Sequence, residues 1–178
     1  MTLSLDLVHA RARDVRLLLV DVDGVMTDGT VTINGNGDEA KTFYIRDGAA
    51  MVWAQREGLE VGLLSGRPSE ATSRRAAELG IQTVAQGGPD KRQAYHDIVG
   101  KGGFRDHEVA FMGDDWLDLL ILTRVGLSAA PADAAEEVRE RVDWVSRFPG
   151  GRGAIRELVE LLLRARKRWD AVLERPAG

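Results

Sequence analysis

Short apolar runs alternate with stretches of helical periodicity along most of the chain, and this alternation restricts the fold more than any other feature. The apolar runs predict strands, and several lack polar alternation, as is typical of parallel strands covered on both faces. Alternating strands and helices predict an α/β fold, a doubly wound parallel sheet with helices on both faces. The predicted strands are Val15–Val20, Val61–Leu64, Thr83–Ala85, Val109–Met112, Val125–Ala129 and Asp143–Val145, and the predicted helices are residues 48–58, 68–79, 90–99, 115–123, 133–141 and 153–173.

The composition limits the classes of function open to the chain. Its 178 residues include 24 Lys and Arg against 28 Asp and Glu, a net charge of −4, so it lacks the domain-wide positive field of a nucleic-acid-binding protein. It contains no cysteine, which excludes disulfide scaffolds, thiolate zinc sites and cysteine nucleophiles. The length suits one domain over residues 1–178, and no internal repeat or linker divides it.

The sequence shows no segment suited to a membrane. Charged residues occupy the amino-terminal stretch, where a signal peptide needs an apolar core. The longest apolar runs, such as Leu17–Val20 and Leu119–Leu122, are far shorter than the ~20 residues of a membrane-spanning helix. We therefore expect a soluble, cytoplasmic protein with neither a membrane nor a nucleic acid as its partner.

One segment, residues 29–45, interrupts the alternation of strands and helices. It contains two strand-like pieces, TVTI and KTFYI, joined by a turn rich in Asn-Gly. Asn-Gly readily adopts the positive φ angles of hairpin turns, so the segment predicts a β-hairpin that protrudes after the first strand. Its apolar face either packs on its own domain or contacts another subunit, since an isolated two-stranded ribbon is barely stable. That face would comprise Val31, Ile33, Phe43 and Ile45.

The first predicted strand leads directly into two carboxylates, Asp21 and Asp23. Residues two apart on a strand point the same way, here at the carboxyl edge of the sheet, where open α/β sheets bind ligands. Two carboxylates so close repel each other and need a cation or a shared proton. Taken alone, this pattern is also compatible with an ordinary Asp turn at a strand end.

A second acidic cluster follows the predicted strand Val109–Met112. Asp114 and Asp115 stand at its carboxyl end, and Asp118 falls in the first turn of the next helix, where the helix dipole favours a carboxylate. The position of Asp118 is therefore explained as a first-turn or capping residue. The adjacent Asp114 and Asp115 are harder to explain structurally, and a purely oxygen ligand set suits Mg²⁺.

Two cations stand at predicted helix N-termini. Arg67 belongs to Ser65-Gly66-Arg67-Pro68, which ends a strand and opens a helix, and Lys91 follows Asp90, the predicted N-cap of the next helix. A positive charge at a helix N-terminus is disfavoured by the helix dipole, but a bound anion would be attracted by both and would offset this cost. The alternative is a solvated surface lysine, which tolerates most exposed positions. Arg75 lies about two turns along its helix and is placed at the same edge of the sheet.

Together these groups have the chemistry needed for phosphoryl transfer to a carboxylate. Asp21 would attack phosphorus and form an aspartyl-phosphate, with Mg²⁺ reducing the repulsion between the two anions. Asp23 would protonate the leaving oxygen and later accept a proton from the attacking water. The charge on the transferred phosphoryl group would be held by Ser65, the Gly66 amide and Lys91.

The ordered motifs resemble those of the haloacid dehalogenase-like (HAD) phosphatases, and most closely the 3-deoxy-D-manno-octulosonate 8-phosphate phosphatase family. The resemblance covers roughly residues 13–163, leaving residues 164–178 as a helical tail. The motifs are DVDGVMTDG, LLSGR, GPDK and MGDD, and the supporting stretches are the hairpin, FYIRDG, GLSAAPADA and GGRGAIRELVELLL.

The resemblance implies a role for each motif residue. Asp21 would be the nucleophile and Asp23 the acid/base. Mg²⁺ would lie between Asp21, the backbone carbonyl of Asp23 and Asp114, with Asp115 in support. The phosphate would be bound by Ser65 and Lys91.

The gaps between the motifs are too short for a cap domain, so an open edge of the sheet needs another cover. Members of the resembled family form tetramers in which hairpins assemble and each subunit covers its neighbour's site. In such an assembly Arg46 and Asp47 would lie at the cover, and Arg67 and Arg75 would meet the substrate carboxylate. Arg46 and Asp47 are equally compatible with a salt bridge at a helix start. In the resembled family a short, flexible C-terminal tail can enter an adjacent active site. Residues 164–178 of this chain are longer and bulkier than such a tail.

Several functions are compatible with these residues. The resemblance implies hydrolysis of 3-deoxy-D-manno-octulosonate 8-phosphate, a phosphorylated sugar acid, for lipopolysaccharide synthesis. A phosphatase for a nine-carbon keto-deoxy sugar acid 9-phosphate is an alternative. A non-catalytic oligomeric protein of the same fold is a third, although a scaffold has little use for two repelling carboxylates.

Overall fold

A computed structural model describes residues 3–88 and 90–174 of the chain, and within them six parallel strands form one sheet. The strands lie in the order β5-β4-β1-β6-β7-β8, a Rossmann-like arrangement. All six predicted strands are confirmed, with ends within two residues of the prediction. They are β1 (Leu17–Val20), β4 (Glu60–Ser65), β5 (Thr83–Gln86), β6 (Val109–Met112), β7 (Leu127–Ala130) and β8 (Trp144–Val145).

Helices cover both faces of the sheet, which explains the unbroken apolar run of β1. Leu18 and Val20 pack into the core under α1, α2, α3 and α7, whereas Leu17 and Leu19 pack under α4, α5 and α6. Successive side chains of a strand point to opposite faces, so both sets must be apolar. The helices are α1 (Leu5–Asp14), α2 (Ile45–Arg56), α3 (Glu70–Glu78), α4 (Lys91–Gly102), α5 (Leu119–Leu122), α6 (Glu136–Arg139), α7 (Ala154–Ala165) and α8 (Trp169–Glu174).

The predicted hairpin is present, but its second strand begins earlier than predicted. Strands β2 (Thr32–Ile33) and β3 (Glu39–Ala40) pair antiparallel around a loop closed by the amide of Asn34 on the carbonyl of Asp38 at 2.9 Å. The piece KTFYI follows β3 and leads into α2. The predicted apolar face is therefore divided: Phe43 packs on the core, while Ile33 and Ile45 are 69% and 78% exposed.

The predicted helix over residues 153–173 is two helices, α7 and α8. Lys167 between them adopts φ +57°, and the amides of Lys167 and Arg168 bond to carbonyls of α7, a helix-ending geometry that glycine usually provides. The predicted tail end at residues 175–178 lies outside the described residues, as does Pro89. None of the helices that the structure describes is long and apolar enough to cross a membrane.

The topology creates one crevice at the carboxyl edge of the sheet. From β1 the chain moves outward to β4 and β5, then crosses back to place β6 on the other side of β1. The connection after β1 runs to one side of the sheet and the connection after β6 to the other. This divergence opens a crevice outside the carboxyl ends of the two paired strands, which is where open α/β sheets bind ligands. Asp21 and Asp114 follow these two strands.

Candidate active site

The sheet brings the two acidic clusters together. The amide of Asp21 donates to the carbonyl of Met112 at 3.0 Å, which extends the pairing of β1 and β6 by one residue. Among the described residues, the carboxylates of Asp21, Asp114 and Asp118 offer oxygen atoms that lie within 4.8 Å of one another. Asp21 and Asp118 are buried, and Asp114 is partly buried.

Lys91 reaches this cluster from the first turn of α4. Its Nζ lies 3.0 Å from Asp21 Oδ1 and 2.7 Å from Asp118 Oδ1. Burial alone would lower the pKa of Lys91, but the two carboxylates outweigh it and raise the pKa. Lys91 is therefore a charged and largely buried group in the crevice, and the interpretation as a solvated surface lysine is wrong.

The carboxylates carry more negative charge than Lys91 balances. Three ionised carboxylates and one ammonium leave a net charge of −2 in a crevice with little exposure to water. Burial, followed by repulsion from Asp118, raises the pKa of Asp21 to about 7. Burial and the repulsion of Asp21 and Asp118 raise the pKa of Asp114 to about 8. A bound divalent cation would reverse both shifts.

The donor set fits Mg²⁺. The side chains offer only carboxylate oxygens, the ligands that this ion prefers. In addition, Asp114 Oδ1 is buried without a hydrogen-bond partner in the described structure, as expected of an oxygen kept for a metal. Asp21 and Asp114 are thus the side chains best placed to hold the ion.

Asp118 has a larger role than the sequence indicated. Its Oδ2 accepts the amides of Asp114 at 3.0 Å and Asp115 at 3.3 Å, the capping function that was predicted. Its other oxygen binds Lys91, so it also fixes that lysine against Asp21. The signal in the sequence that could have indicated this role is the spacing Asp114-Asp115-x-x-Asp118. One helical turn after Asp115 brings the Asp118 carboxylate back beside the end of β6.

Asp115 does not have the supporting position predicted for it. Its side chain is exposed, and its Oδ1 accepts the amide of Trp116 at 2.7 Å at the start of a short 3₁₀ helix. The buried carboxylate that supports the loop is Asp118. The prediction for Asp115 is corrected accordingly.

The turn after Asp21 is held from two sides. Thr27 is buried and its Oγ1 accepts the amides of Gly24 at 3.4 Å and Gly29 at 3.2 Å. From the other side, the amide of Gly151 donates to the carbonyl of Val25 at 2.8 Å. Gly150 packs so closely that a β-carbon there would lie 1.8 Å from the Gly24 carbonyl oxygen. The loop of the sequence GGRG therefore supports the turn that carries Asp21 and Asp23.

The serine motif lies at the same edge of the sheet. Ser65 ends β4, two residues beyond the pair Val20↔Leu63, and is buried. Its hydroxyl is within 3.2 Å of both the amide and the carbonyl of Arg67, which fixes the loop. A β-carbon on Gly66 would lie 3.6 Å from Lys91 Cε, so this loop and Lys91 are neighbours.

Asp23 contacts a lysine of the hairpin that sequence analysis missed. The Lys41 ammonium binds Asp23 Oδ1, and its side chain is fully buried. It also lies 3.3 Å from Glu39 Oε1, and Glu39 Oε2 lies 2.6 Å from a guanidinium nitrogen of Arg67. The hairpin thus connects Asp23 to the loop of Arg67. Local sequence gives no signal for this contact because it joins residues 18 apart.

Two of the residues predicted to meet substrate are engaged elsewhere. Asp47 is buried, and its carboxylate accepts the amides of Gly153 at 3.1 Å and Arg156 at 2.8 Å, so it caps α7. Arg75 lies against α2, bonded to Glu78 at 2.7 Å and packed over Phe43. The described contacts of Asp47 and Arg75 are thus with the protein's own helices, and their role at the substrate stays a prediction.

Arg46 and Arg67 are exposed, as a role at the substrate requires. Arg46 stands in the first turn of α2, next to the capping residue Asp47. The two do not form the helix-start salt bridge that was the alternative, since Asp47 faces α7. Arg67 stands beside the serine loop.

Comparisons with known proteins identify relatives of the chain. No protein-family model matches the chain. A curated relative, the 3-deoxy-D-manno-octulosonate 8-phosphate phosphatase KdsC of Escherichia coli, is 41% identical over 163 residues, covering 92% of this chain and 87% of that protein.

Solved structures show the same fold. The 3-deoxy-D-manno-octulosonate 8-phosphate phosphatase of Moraxella catarrhalis, in complex with a magnesium ion, a phosphate ion and KDO, matches with a TM-score of 0.93 at 33% identity, covering 96% of this chain and 98% of that one. A subfamily III A HAD hydrolase from Legionella pneumophila matches with a TM-score of 0.93 at 34% identity, covering 95% and 93%. With the curated relatives, these similarities show that the chain belongs to the 3-deoxy-D-manno-octulosonate 8-phosphate phosphatase family of HAD hydrolases.

Proposed function

We propose that the chain is a magnesium-dependent phosphatase that hydrolyses 3-deoxy-D-manno-octulosonate 8-phosphate to the free sugar acid and phosphate. The observation that carries this proposal is the cluster in which Lys91 lies between the buried Asp21 and Asp118, with Asp114 beside them. The name of the Escherichia coli relative supports the substrate, and the Moraxella catarrhalis complex supports the metal, the phosphate and the sugar acid.

The first step is transfer of the phosphoryl group to Asp21. An Asp21 carboxylate oxygen attacks phosphorus, and the bond from phosphorus to the ester oxygen breaks. Asp23 gives its proton to that leaving oxygen, so the sugar acid departs as an alcohol. Mg²⁺, held by Asp21 and Asp114, supplies positive charge that offsets the repulsion between carboxylate and phosphate.

The second step releases phosphate. Asp23, now a carboxylate, accepts a proton from water as the water oxygen attacks phosphorus of the aspartyl-phosphate. The bond between Asp21 and phosphorus breaks, and both aspartates return to their starting states. In both steps the phosphoryl oxygens are held by Lys91, the Ser65 hydroxyl and the Gly66 amide.

We also propose a homotetramer in which a neighbouring subunit covers the open edge of the sheet. Ile33 on the hairpin and Ile45 at the start of α2 are both exposed, and large exposed aliphatic side chains suit a subunit contact. Arg46 and Arg67 are exposed and would meet the carboxylate of the sugar acid, Arg67 while it is paired with Glu39. The product would serve lipopolysaccharide precursor synthesis in the cytoplasm.

The test is phosphate release from a panel of sugar phosphates, with Mg²⁺ and then with a chelator. We expect metal-dependent release and a higher kcat/KM for the eight-carbon 8-phosphate than for a nine-carbon keto-deoxy sugar acid 9-phosphate. A preference for the nine-carbon substrate would replace the proposed substrate. The absence of release from every sugar phosphate would leave a non-catalytic protein. Light scattering after size exclusion tests the tetramer, and an active monomer would contradict it.

A further inference from the structure

The charged side chain of Lys41 is buried between two carboxylates beside the candidate active site. The side chain is fully covered, although lysine is almost never buried unless it is paired. Its partners are the carboxylates of Asp23 and Glu39, and Glu39 is itself paired with Arg67. Two cations and two anions therefore form a neutral chain that runs from the turn after β1, through the hairpin, to the loop after β4.

The contact is specific to one oxygen of Asp23. Lys41 binds Oδ1, while the amides of the turn are bonded elsewhere, to Thr27 Oγ1 and to the Val22 carbonyl. A carboxyl group that rotates freely presents its two oxygens in many orientations. One that is held at Oδ1 presents Oδ2 in a single orientation, and proton transfer depends strongly on such geometry.

We propose that Lys41 is a positioning residue that orients Asp23 for proton transfer to the leaving oxygen. The proposal rests on the function proposed above, in which Asp23 is the acid and base. Lys41 itself donates no proton to the substrate. Glu39 is paired with both Lys41 and Arg67, which ties Lys41 to the loop after β4. The orientation of Asp23 therefore depends on the position of the hairpin.

Two phosphate esters separate this role from a merely structural one. The sugar phosphate has an alkoxide leaving group, which needs a proton, whereas p-nitrophenolate is a stable leaving group and needs none. Departure of the leaving group is the last step that kcat/KM reports, so this ratio leaves out the attack of water that both esters share. In kcat/KM, a residue that acts through the general acid affects the first ester far more than the second. A residue that only maintains the fold affects both alike.

The experiment compares Lys41→Met with the wild type on both esters. We expect kcat/KM for the sugar phosphate to fall by about 10²-fold, the scale of general acid catalysis. The kcat/KM for p-nitrophenyl phosphate should fall by less than about threefold, because its leaving group needs no proton. Lys41→Arg, which can still donate to Asp23 Oδ1, should recover part of the lost activity. Lys101→Met, at an exposed lysine of α4, is the matched control and should behave as the wild type.

A double-mutant cycle tests whether Lys41 acts through Asp23. Adding Lys41→Met to Asp23→Asn should lower kcat/KM for the sugar phosphate no further, because the proton donor is already lost. Equal losses on the two esters, additive losses in the cycle, or full activity of Lys41→Met would each overturn the proposal. If Lys41→Met does not fold, Lys41→Gln replaces it under the same criteria. A wild type that releases phosphate from neither ester would contradict the proposed function itself.

Discussion

Gly24 lies directly beneath the carboxylate of Asp114. A β-carbon at this position would lie 2.0 Å from Asp114 Oδ2, and Gly24 also adopts φ +85°, which disfavours other residues. The turn after β1 and the loop after β6 therefore meet without room for one methyl group. Asp114 can occupy its position only because Gly24, in the turn after Asp21, has no side chain.

Gly24→Ala should accordingly impair metal binding as well as folding. We expect unfolding free energy to fall by about 2 kcal/mol or more and the affinity for Mg²⁺ to fall with it, because Asp114 must move. Gly58→Ala is the matched control, since Gly58 has φ +78° but no atom within 4 Å of its β-carbon position. That variant should lose stability from backbone strain alone. Equal Mg²⁺ affinities in the two variants, measured by calorimetry, would contradict this reading of Gly24.

Asp21→Asn should abolish turnover and stabilise the metal-free protein. Loss of the nucleophile should reduce kcat on the order of 10⁴-fold, as for other residues that act covalently. The amide also removes one of three crowded carboxylates, so the metal-free variant should melt at a higher temperature than the wild type at pH 8. Calorimetry in the presence of a chelator measures the melting temperature. Asp115→Asn, at an exposed carboxylate of the same loop, should change neither property strongly.

Mg²⁺ should stabilise the protein more as the pH rises. The pKa values of Asp21 and Asp114 are raised in the folded metal-free protein to about 7 and about 8, above their ordinary value of 3.8. A raised carboxyl pKa means that the folded state holds protons the unfolded state has lost. The protons on Asp21 and Asp114 therefore contribute fully to the stability of the metal-free protein below about pH 4. This contribution is lost as the pH rises to about 8.

Melting curves with and without Mg²⁺ at several pH values check this dependence. Bound Mg²⁺ replaces the protons, so the increase in Tm should be larger by about 5 °C or more at pH 8 than at pH 5.5. If the increase in Tm caused by Mg²⁺ does not depend on pH, Asp21 and Asp114 are ionised before the metal binds. Asp114→Asn should weaken the dependence, since it removes the group with the higher pKa.

Asp47→Ala should destabilise the protein without weakening substrate binding. The carboxylate satisfies two amides at the start of α7, and their loss should cost about 1–3 kcal/mol of unfolding free energy. Urea unfolding measures this loss, while KM, determined well below the melting temperature, should stay unchanged. Arg46→Ala, one residue earlier and exposed, should leave stability unchanged. A large rise in KM for Asp47→Ala with normal stability would restore Asp47 to the substrate site.

The sequence predicted the sheet and the polar residues that follow its strands because those signals are local. The apolar run before Asp21 indicates a buried parallel strand, and the carboxyl end of such a strand lies at the edge that binds ligands. The same reasoning places Asp114 and Ser65 there. Lys91 was singled out because its charge opposes the helix dipole, and the structure shows the carboxylates that compensate for it.

The residues that sequence analysis missed or misplaced depend on distant contacts. Asp47 meets the amides of residues more than 100 positions away, and Lys41 meets Asp23 only because the hairpin folds back. The end of α7 at Lys167 also lacks the glycine that usually marks such a position. Periodicity describes each element separately, so it carries no information about these pairings.

The packing of Gly150 and Gly151 against the turn of Gly24 has a consequence for the order in which the enzyme becomes competent during synthesis. Both acidic strand ends leave the ribosome before this loop does, and the loop in turn depends on α7 and its cap from Asp47. A nascent chain that stops short of the loop contains every carboxylate of the site but lacks the backing that fixes the nucleophile. Competence for phosphoryl transfer should therefore arise only when this loop and α7 have docked.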